Sequence, residues 1–302
     1  MGSNAATDSK PAEDMGLAAY AAPSLFQPHN ARQAIRDAHE RKIGPILCVY
    51  YGISSIPVAR LLAPLGFDAV WIDWEHTACN VETMTTMVHE TMFMSGGKTI
   101  PFVRVPGHDH AAIGYALDCG ASIVIPQVDT VAQCKHVVSA AKYGTKQNGS
   151  RSAPPFRLIP GVTDTPMLGD DLHKSVNDQA AIMIQIETLE GIKNLDAILT
   201  ECPDVDIVWL GSLDCRVSMN LAANMGMGGD EPEWNEAEKK FEETLKKHNK
   251  PRGGFGFGPA VKQKADQGYA LISFDADIVK LASLGQSFQE TKASVASCIK
   301  KQ

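Results

Sequence analysis

Basic clusters are scarce in this sequence. Its 302 residues hold 28 Lys and Arg against 35 Asp and Glu, a formal net charge of −7, and Lys and Arg nowhere form a run of five or six. Such a chain has no stripe of positive charge to neutralise a phosphate backbone, which excludes nucleic acid as a partner. Long apolar runs are missing too: none approaches the roughly 18 residues that a membrane helix needs. The first residues also lack the positive start and apolar core of a secretory signal. No C-x-x-C pair occurs among the seven cysteines, Cys48, Cys79, Cys119, Cys134, Cys202, Cys215 and Cys298. An odd set with several members inside apolar runs reads as reduced, buried thiols, not as a disulfide framework. These absences lead us to expect a cytoplasmic protein with neither a membrane nor a nucleic-acid partner. No G-x-G-x-x-G follows the first apolar run, which argues against a dinucleotide-binding open sheet. The glycines at 254, 256 and 258 alternate along a strand and indicate close backbone packing.

What is present is a globular composition, 44% hydrophobic and 21% charged, enough to bury a large core. Residues 1–29, rich in Ala, Ser, Asp and Pro without periodicity, read as a flexible N-terminal extension, mobile or laid across a neighbouring surface. Residues 30–302 read as one catalytic domain. Short apolar runs fit buried strands: Ile46 to Tyr51, Ala69 to Ile72, Ile100 to Val103, Ser122 to Ile125, Ala181 to Ile184, Ile207 to Leu210, Gly254 to Phe257 and Ala270 to Ser273. Amphipathic stretches separate them, such as Val58, Leu61, Leu62 and Leu65 between a Ser55 cap and a Gly66 stop. Buried strands alternating with helices imply a parallel sheet, and eight such units imply closure into a (β/α)8 TIM barrel. Two connections, 144–180 and 220–250, exceed plain loops; the second contains a helix from Pro232.

Chemistry in a barrel gathers at the carboxyl ends of the strands. Here those ends read Asp73-Trp74-Glu75-His76, Arg104, Gln127, Gln185 with Glu187, and Gly211-Ser212-Leu213-Asp214. Each residue alone has a plain structural reading. A carboxylate can cap a helix, a histidine can satisfy a loop carbonyl, and an arginine can pair with a neighbouring acid. Together they suggest more. Glu187 and Asp214 on adjacent strand ends suit a hard divalent cation that keeps several waters. Asp73, three residues before His76, could orient its imidazole as an acid–base dyad. The planar fork of Arg104 suits a substrate carboxylate. Glu75 reads as a loop or interface charge, Trp74 as packing at the barrel mouth, and Met84, Met87, Met92 and Met94 as core. Asp275 and Asp277 read as a turn and a helix cap. No strand end presents a lysine for a Schiff base.

At these residues the chain resembles the HpcH/HpaI aldolase family, the class II metal-dependent pyruvate aldolases of the phosphoenolpyruvate/pyruvate superfamily. The resemblance rests on Ile72-Asp73-Trp74-Glu75-His76, Val103-Arg104-Val105-Pro106, Asp118-Cys119-Gly120-Ala121 with Ile125-Pro126, Gln185-Ile186-Glu187-Thr188, and Gly211-Ser212-Leu213-Asp214, in that order. Spacing and the long N-terminal extension are most similar to a fungal branch that includes macrophomate synthase. The resemblance implies a carbon–carbon lyase, an aldolase and/or oxaloacetate decarboxylase, acting on a small 2-oxo acid such as pyruvate or oxaloacetate through a pyruvate enolate. It implies either reaction with or without trapping of that enolate by an aldehyde or other acceptor. Carried over by residue, Glu187 and Asp214 would ligate Mg2+ (or Mn2+/Co2+), Arg104 would contact the pyruvyl oxygens, and Gln185 would line the pyruvate pocket. Asp73 and His76 would form the acid–base pair, and backbone N–H groups near Gly211 to Asp214, with Ser212 and Leu213 between them, would hold the carboxylate. Trp74, Gln127, Ser212-Leu213 and Arg151 depart from the family pattern and bear on the acceptor. The C-terminal helix, from Gln286 to Lys300, would pack on a neighbouring subunit of a homo-oligomer, a trimer or hexamer. The alternatives are a catalytically lapsed barrel serving binding or assembly, with Cys215-Arg216 marking the loss, and a citrate-lyase-like CoA-thioester lyase, for whose phosphates the sequence offers no basic patch.

Overall fold

The computed structural model describes residues 16–23, 27–155, 159, 162–163 and 171–298. Eight parallel strands close in sequence order, with the last hydrogen-bonded to the first. They are β1 Ile46–Tyr51, β2 Ala69–Asp73, β3 Ile100–Arg104, β4 Ser122–Ile125, β5 Ile182–Ile186, β6 Ile207–Leu210, β7 Arg252–Phe255 and β8 Leu271–Ala276. The expected (β/α)8 barrel is therefore present. One strand sits elsewhere than expected: β7 runs Arg252–Phe255, and at two of its residues, Gly253 and Gly254, neighbours crowd the backbone. A Cβ on Gly253 would lie 2.7 Å from the Trp209 ring, and one on Gly254 2.6 Å from that of Tyr269.

The helices are α1 Ala31–His39, α2 Ile56–Leu62, α3 Val81–Met94, α4 His110–Asp118, α5 Val131–Ala141, α6 Leu172–Gln179, α7 Leu189–Glu201, α8 Ser212–Ser218, α9 Pro232–Lys247, α10 Pro259–Asp266 and α11 Asp277–Val295. Their starts are written in the sequence. Asn30, Ser55, Asn80, Asp109, Thr130, Asp171 and Thr188 each accept a first-turn backbone N–H, and Thr130 with Gln133 completes a capping box. Each such cap contributes about 1 kcal/mol. Helix α6 lies inside the 144–180 connection, in which no helix was expected by name. Its apolar anchors Leu172 and Val176 are only one i, i+4 pair, too sparse a signal to read as a helix. Residues 156–158, 160–161 and 164–170 of that connection lie outside the described residues, as do residues 1–15 and 24–26 of the expected N-terminal extension and residues 299–300 of the expected C-terminal helix. From Gly16 the chain packs: Tyr20 is buried and donates to Asp37 Oδ2 at 2.9 Å, and Gln27 and His29 are buried as well.

Strand alternation sorts side chains into two cores. One parity, including Val49, Val70, Ile72, Val103, Ile123, Ile184 and Val208, packs under the helices. The other, including Cys48, Trp71, Phe102, Val124, Met183, Trp209 and Leu271, fills the barrel. Near the carboxyl end that interior becomes aromatic. Trp209 meets Trp71 edge-on at 4.8 Å and Phe255 at 4.9 Å between ring centroids. Truncating one of these rings to alanine would cost about 3–5 kcal/mol. The next inward positions after this plug are Tyr50, Asp73, Arg104 and Gln185. Parity thus delivers the polar strand ends to one mouth. Among the described residues no helix is long and apolar enough to cross a membrane, and Cys48, Cys79, Cys134, Cys202, Cys215 and Cys298 are free thiols.

Candidate active site

Asp73 and Arg104 face each other across the β2–β3 register. Arg104 Nε and Nη2 donate to Asp73 Oδ1 and Oδ2, both at 2.9 Å, and the guanidinium carbon stands 5.6 Å from the centre of the Trp71 ring. Tyr50, from β1, closes the lattice: its hydroxyl donates to Asp73 Oδ2 at 2.5 Å and accepts from Arg104 Nη2 at 3.0 Å. Burial alone would raise the Asp73 carboxyl; the Arg104 and Tyr50 hydrogen bonds outweigh it and hold the group below its ordinary range. Arg104 is about nine-tenths buried, and its Nη1 alone has no hydrogen-bond partner among the described residues.

The expected Asp73–His76 dyad takes a different form. Asp73 Oδ1 already accepts from Arg104 Nε, from Glu75 N at 3.1 Å and from His76 N at 3.4 Å, so it holds the His76 backbone and not the ring. The His76 imidazole, with a side chain 65% exposed, turns instead to Glu75, Nε2 to Oε2 at 3.4 Å. Glu75 Oε2 also lies 3.3 Å from Arg104 Nε. Burial raises the Glu75 carboxyl above its ordinary range, opposed by Arg104 and His76. Expected as a loop charge, Glu75 is the link between the guanidinium and the imidazole. Its place in the tight turn after β2 was the available signal.

Glu187 follows β5 and is buried, with Gln127 N donating to Oε2 at 2.9 Å and Gln185 Nε2 to Oε1 at 3.0 Å. Burial, then the neighbouring Asp214, push its carboxyl up to about 7. Gln127 reaches it from a left-handed backbone, φ 50, at the end of β4, a conformation that costs a non-glycine residue about 1 kcal/mol or more. Gln185 Oε1 is buried with no hydrogen-bond partner among the described residues. Gly211 is required here for space: a Cβ would fall 2.3 Å from Glu187 Oε1. Its expected role as an N–H donor to substrate does not hold, because Gly211 N donates to Ile186 O at 2.9 Å within the sheet. Ser212, Leu213 and Asp214 form the first turn of α8. Ser212 Oγ donates to Gly226 O at 2.6 Å, and Leu213 is 45% exposed.

Trp74 extends the sheet by donating N–H to Arg104 O at 3.0 Å, while its side chain packs against the helix-side core. Neither Cys215 nor Arg216 opens into the mouth. Cys215 is buried, and Arg216 pairs with both oxygens of Glu231 beneath the Trp234 ring, tying down the loop after α8. Arg151 is likewise structural, stacked on Tyr143 and paired with Asp118. Beside the mouth opens a cleft of about 390 Å³ whose walls include Glu75, His108, Asp109, Gln127 and Asp129. Sequence reasoning missed Tyr50 and this cleft. Tyr50 sat inside an apolar run with no polar neighbour to mark it, and His108 and Asp109 lie several residues past the end of β3.

Comparison with known proteins agrees with the barrel fold. The family model described as HpcH/HpaI aldolase/citrate lyase matches residues 48–249. A 4-hydroxy-2-oxo-heptane-1,7-dioate aldolase of Shigella sonnei (strain Ss046) is 29% identical over 264 residues, 85% of this chain and 94% of its own length. The crystal structure of macrophomate synthase matches over 93% of this chain and 95% of its own, with a TM-score of 0.84 and 31% identity. A HpcH/HpaI aldolase/citrate lyase family protein from Burkholderia cenocepacia J2315, 24% identical with a TM-score of 0.73 over 87% of this chain and 99% of its own, shares the fold. With a match of this extent over the barrel and its mouth, the chain belongs to the HpcH/HpaI aldolase/citrate lyase family and is a carbon–carbon lyase.

Proposed function

We propose that the chain makes or breaks a carbon–carbon bond in a small 2-oxo acid through a pyruvate-type enolate, assisted by a divalent cation, Mg2+ or the similar Mn2+ or Co2+. The observation that carries this reading is the juxtaposition, in one mouth, of a guanidinium with one open nitrogen and a crowded carboxylate pair. Asp214 adds to the raised proton affinity of buried Glu187, so the site is under-supplied with positive charge, and a cation relieves that. The donors fit a hard ion. Glu187, Asp214 and the unpartnered Gln185 Oε1 offer oxygen, while the thiol of buried Cys215 is pushed up to about 12 and stays protonated. The described residues contain no group of three or more His, Cys, Asp and Glu placed to hold a metal, so Glu187 and Asp214 would leave the remaining positions to water or substrate. When bound, the cation supplies Lewis-acid stabilisation of an enolate oxygen.

The chain's own residues supply the rest. Arg104, pinned by Asp73 and Tyr50, holds a positive charge in place at the mouth, so stabilising the negative charge that develops on the substrate needs no reorganisation. His76, mostly in solvent and backed by Glu75, can move the proton of the hydroxyl at the bond being cleaved. The adjacent cleft suits the acceptor. Its walls carry Glu75, Asp109 and Asp129 and no lysine or arginine, which favours an uncharged aldehyde over an anionic one. The aldolase and macrophomate synthase relatives support the reaction class. Helix α11 supports a homo-oligomer: Leu281, Leu284, Phe288 and Val295 form an exposed apolar stripe, each more than half exposed, which suits a second copy of the chain. The test of function is release of pyruvate, read by lactate dehydrogenase and NADH, from oxaloacetate and from 4-hydroxy-2-oxo acids, with EDTA and then with Mg2+. Release that needs the cation and falls by orders of magnitude in Glu187→Gln and Arg104→Ala supports the reading. Undiminished release after verified metal removal would refute it.

A further inference from the structure

We infer that Tyr50 is a positioning residue, whose hydroxyl sets the plane of the Arg104 guanidinium so that Nη1 faces the substrate. The inference rests on the proposed role of Arg104 and adds the residue that aims it. The hydroxyl bridges both partners of the ion pair, 2.5 Å from Asp73 Oδ2 and 3.0 Å from Arg104 Nη2. A carboxylate alone leaves a bidentate guanidinium free to rock about the line joining them. A third contact, off that line, removes this freedom. The ring itself is braced, since it lies 6.0 Å from Trp71 and 6.1 Å from Phe255 between centroids. The phenol is therefore carried on the aromatic plug of the barrel and transmits its rigidity to the arginine. Burial pushes the phenol well above the ordinary tyrosine range, so it remains a donor to Asp73 at any working pH. Phenylalanine at this position would keep the ring and its packing and lose only the bridge.

The outcome is read in a double-mutant cycle of Tyr50→Phe and Arg104→Lys, with two measurements in the presence of Mg2+. These are calorimetric affinity for oxalate, a planar mimic of the pyruvate enolate, and the kcat and KM for pyruvate release from oxaloacetate. Lysine keeps the charge but has no planar fork whose plane Tyr50 could set. In the Arg104 background, Tyr50→Phe should weaken oxalate by about tenfold, the scale of one lost hydrogen bond to a charged group. It should lower kcat by a similar factor, with KM moving less than about twofold. In the Arg104→Lys background the same change should move oxalate affinity by less than about twofold, because there is no guanidinium left to aim. Equal losses in both backgrounds, or a Tyr50→Phe variant matching the parent in oxalate affinity and kcat, would overturn the inference. Parental oxalate affinity and kcat in Arg104→Lys alone would instead sink the role of Arg104 on which it rests, a result distinguishable from the others.

Discussion

Gly211→Ala tests the geometry of the carboxylate site most directly, because the added atom is a single methyl carbon. The backbone at this position has φ −76 and ψ 76, so alanine meets no left-handed penalty and the effect is confined to space. An ideal Cβ would lie 2.3 Å from Glu187 Oε1, 2.5 Å from its Cγ and 2.9 Å from its Cδ, all inside van der Waals contact. Glu187 must swing aside by about 1 Å, against the hydrogen bonds from Gln127 N and Gln185 Nε2 that hold it. Overpacking of this kind costs about 1–3 kcal/mol, which at about 2–4 °C per kcal/mol lowers the melting temperature by several degrees. Displacing a reacting group by about 1 Å costs on the order of 10²-fold in rate. Differential scanning calorimetry and a Mg2+ titration of pyruvate release read both effects. A variant with parental melting temperature and parental Mg2+ half-saturation would show that Glu187 is neither confined by Gly211 nor part of a cation site.

Glu187 also predicts a pH dependence of stability. Its carboxyl rises from 4.5 to about 7 on folding, so in metal-free protein the folded chain keeps a proton that the unfolded chain releases in this window. Stability is therefore greatest below the unfolded value and falls as pH rises towards 7, by about 3 kcal/mol at 1.36 kcal/mol per pH unit. Chemical denaturation in EDTA should show this slope in the parent and a flatter one in Glu187→Gln; identical slopes would remove the burial argument. His76→Ala should depress aldol cleavage by about 10²–10⁴-fold, the scale of general acid–base catalysis, while sparing much of oxaloacetate decarboxylation. Glu75→Gln should give a smaller loss in the same direction, and equal loss of both reactions in His76→Ala would reassign the histidine to substrate positioning. Light scattering should find a closed oligomer in the parent and a smaller species in Leu284→Glu with Phe288→Glu; a monodisperse monomeric parent counts against the role of α11.

The sequence alone determined the barrel and most of its punctuation. Apolar runs of strand length, amphipathic spacing and caps such as Ser55 and Thr130 are local signals, because each depends on atoms within a turn or two of the chain. The residues at the strand ends were legible for the same reason: Asp73, Arg104, Glu187 and Asp214 stand out where apolar runs stop. Short or marginal elements were not. Helix α6 has too few apolar positions to show periodicity, and β7 carries Gly253 and Gly254, where the Trp209 and Tyr269 rings leave no room for a side chain, which no local pattern records. Only the tertiary structure decided who partners whom. Asp73 could have oriented His76 by spacing alone, yet Arg104 and Tyr50, 31 and 23 residues away, saturate its oxygens and leave the imidazole to Glu75. Hydrogen-bond capacity is finite, and which donors claim a carboxylate depends on barrel register and inward parity. Those are set by closure of the sheet, a long-range property that no stretch of sequence contains.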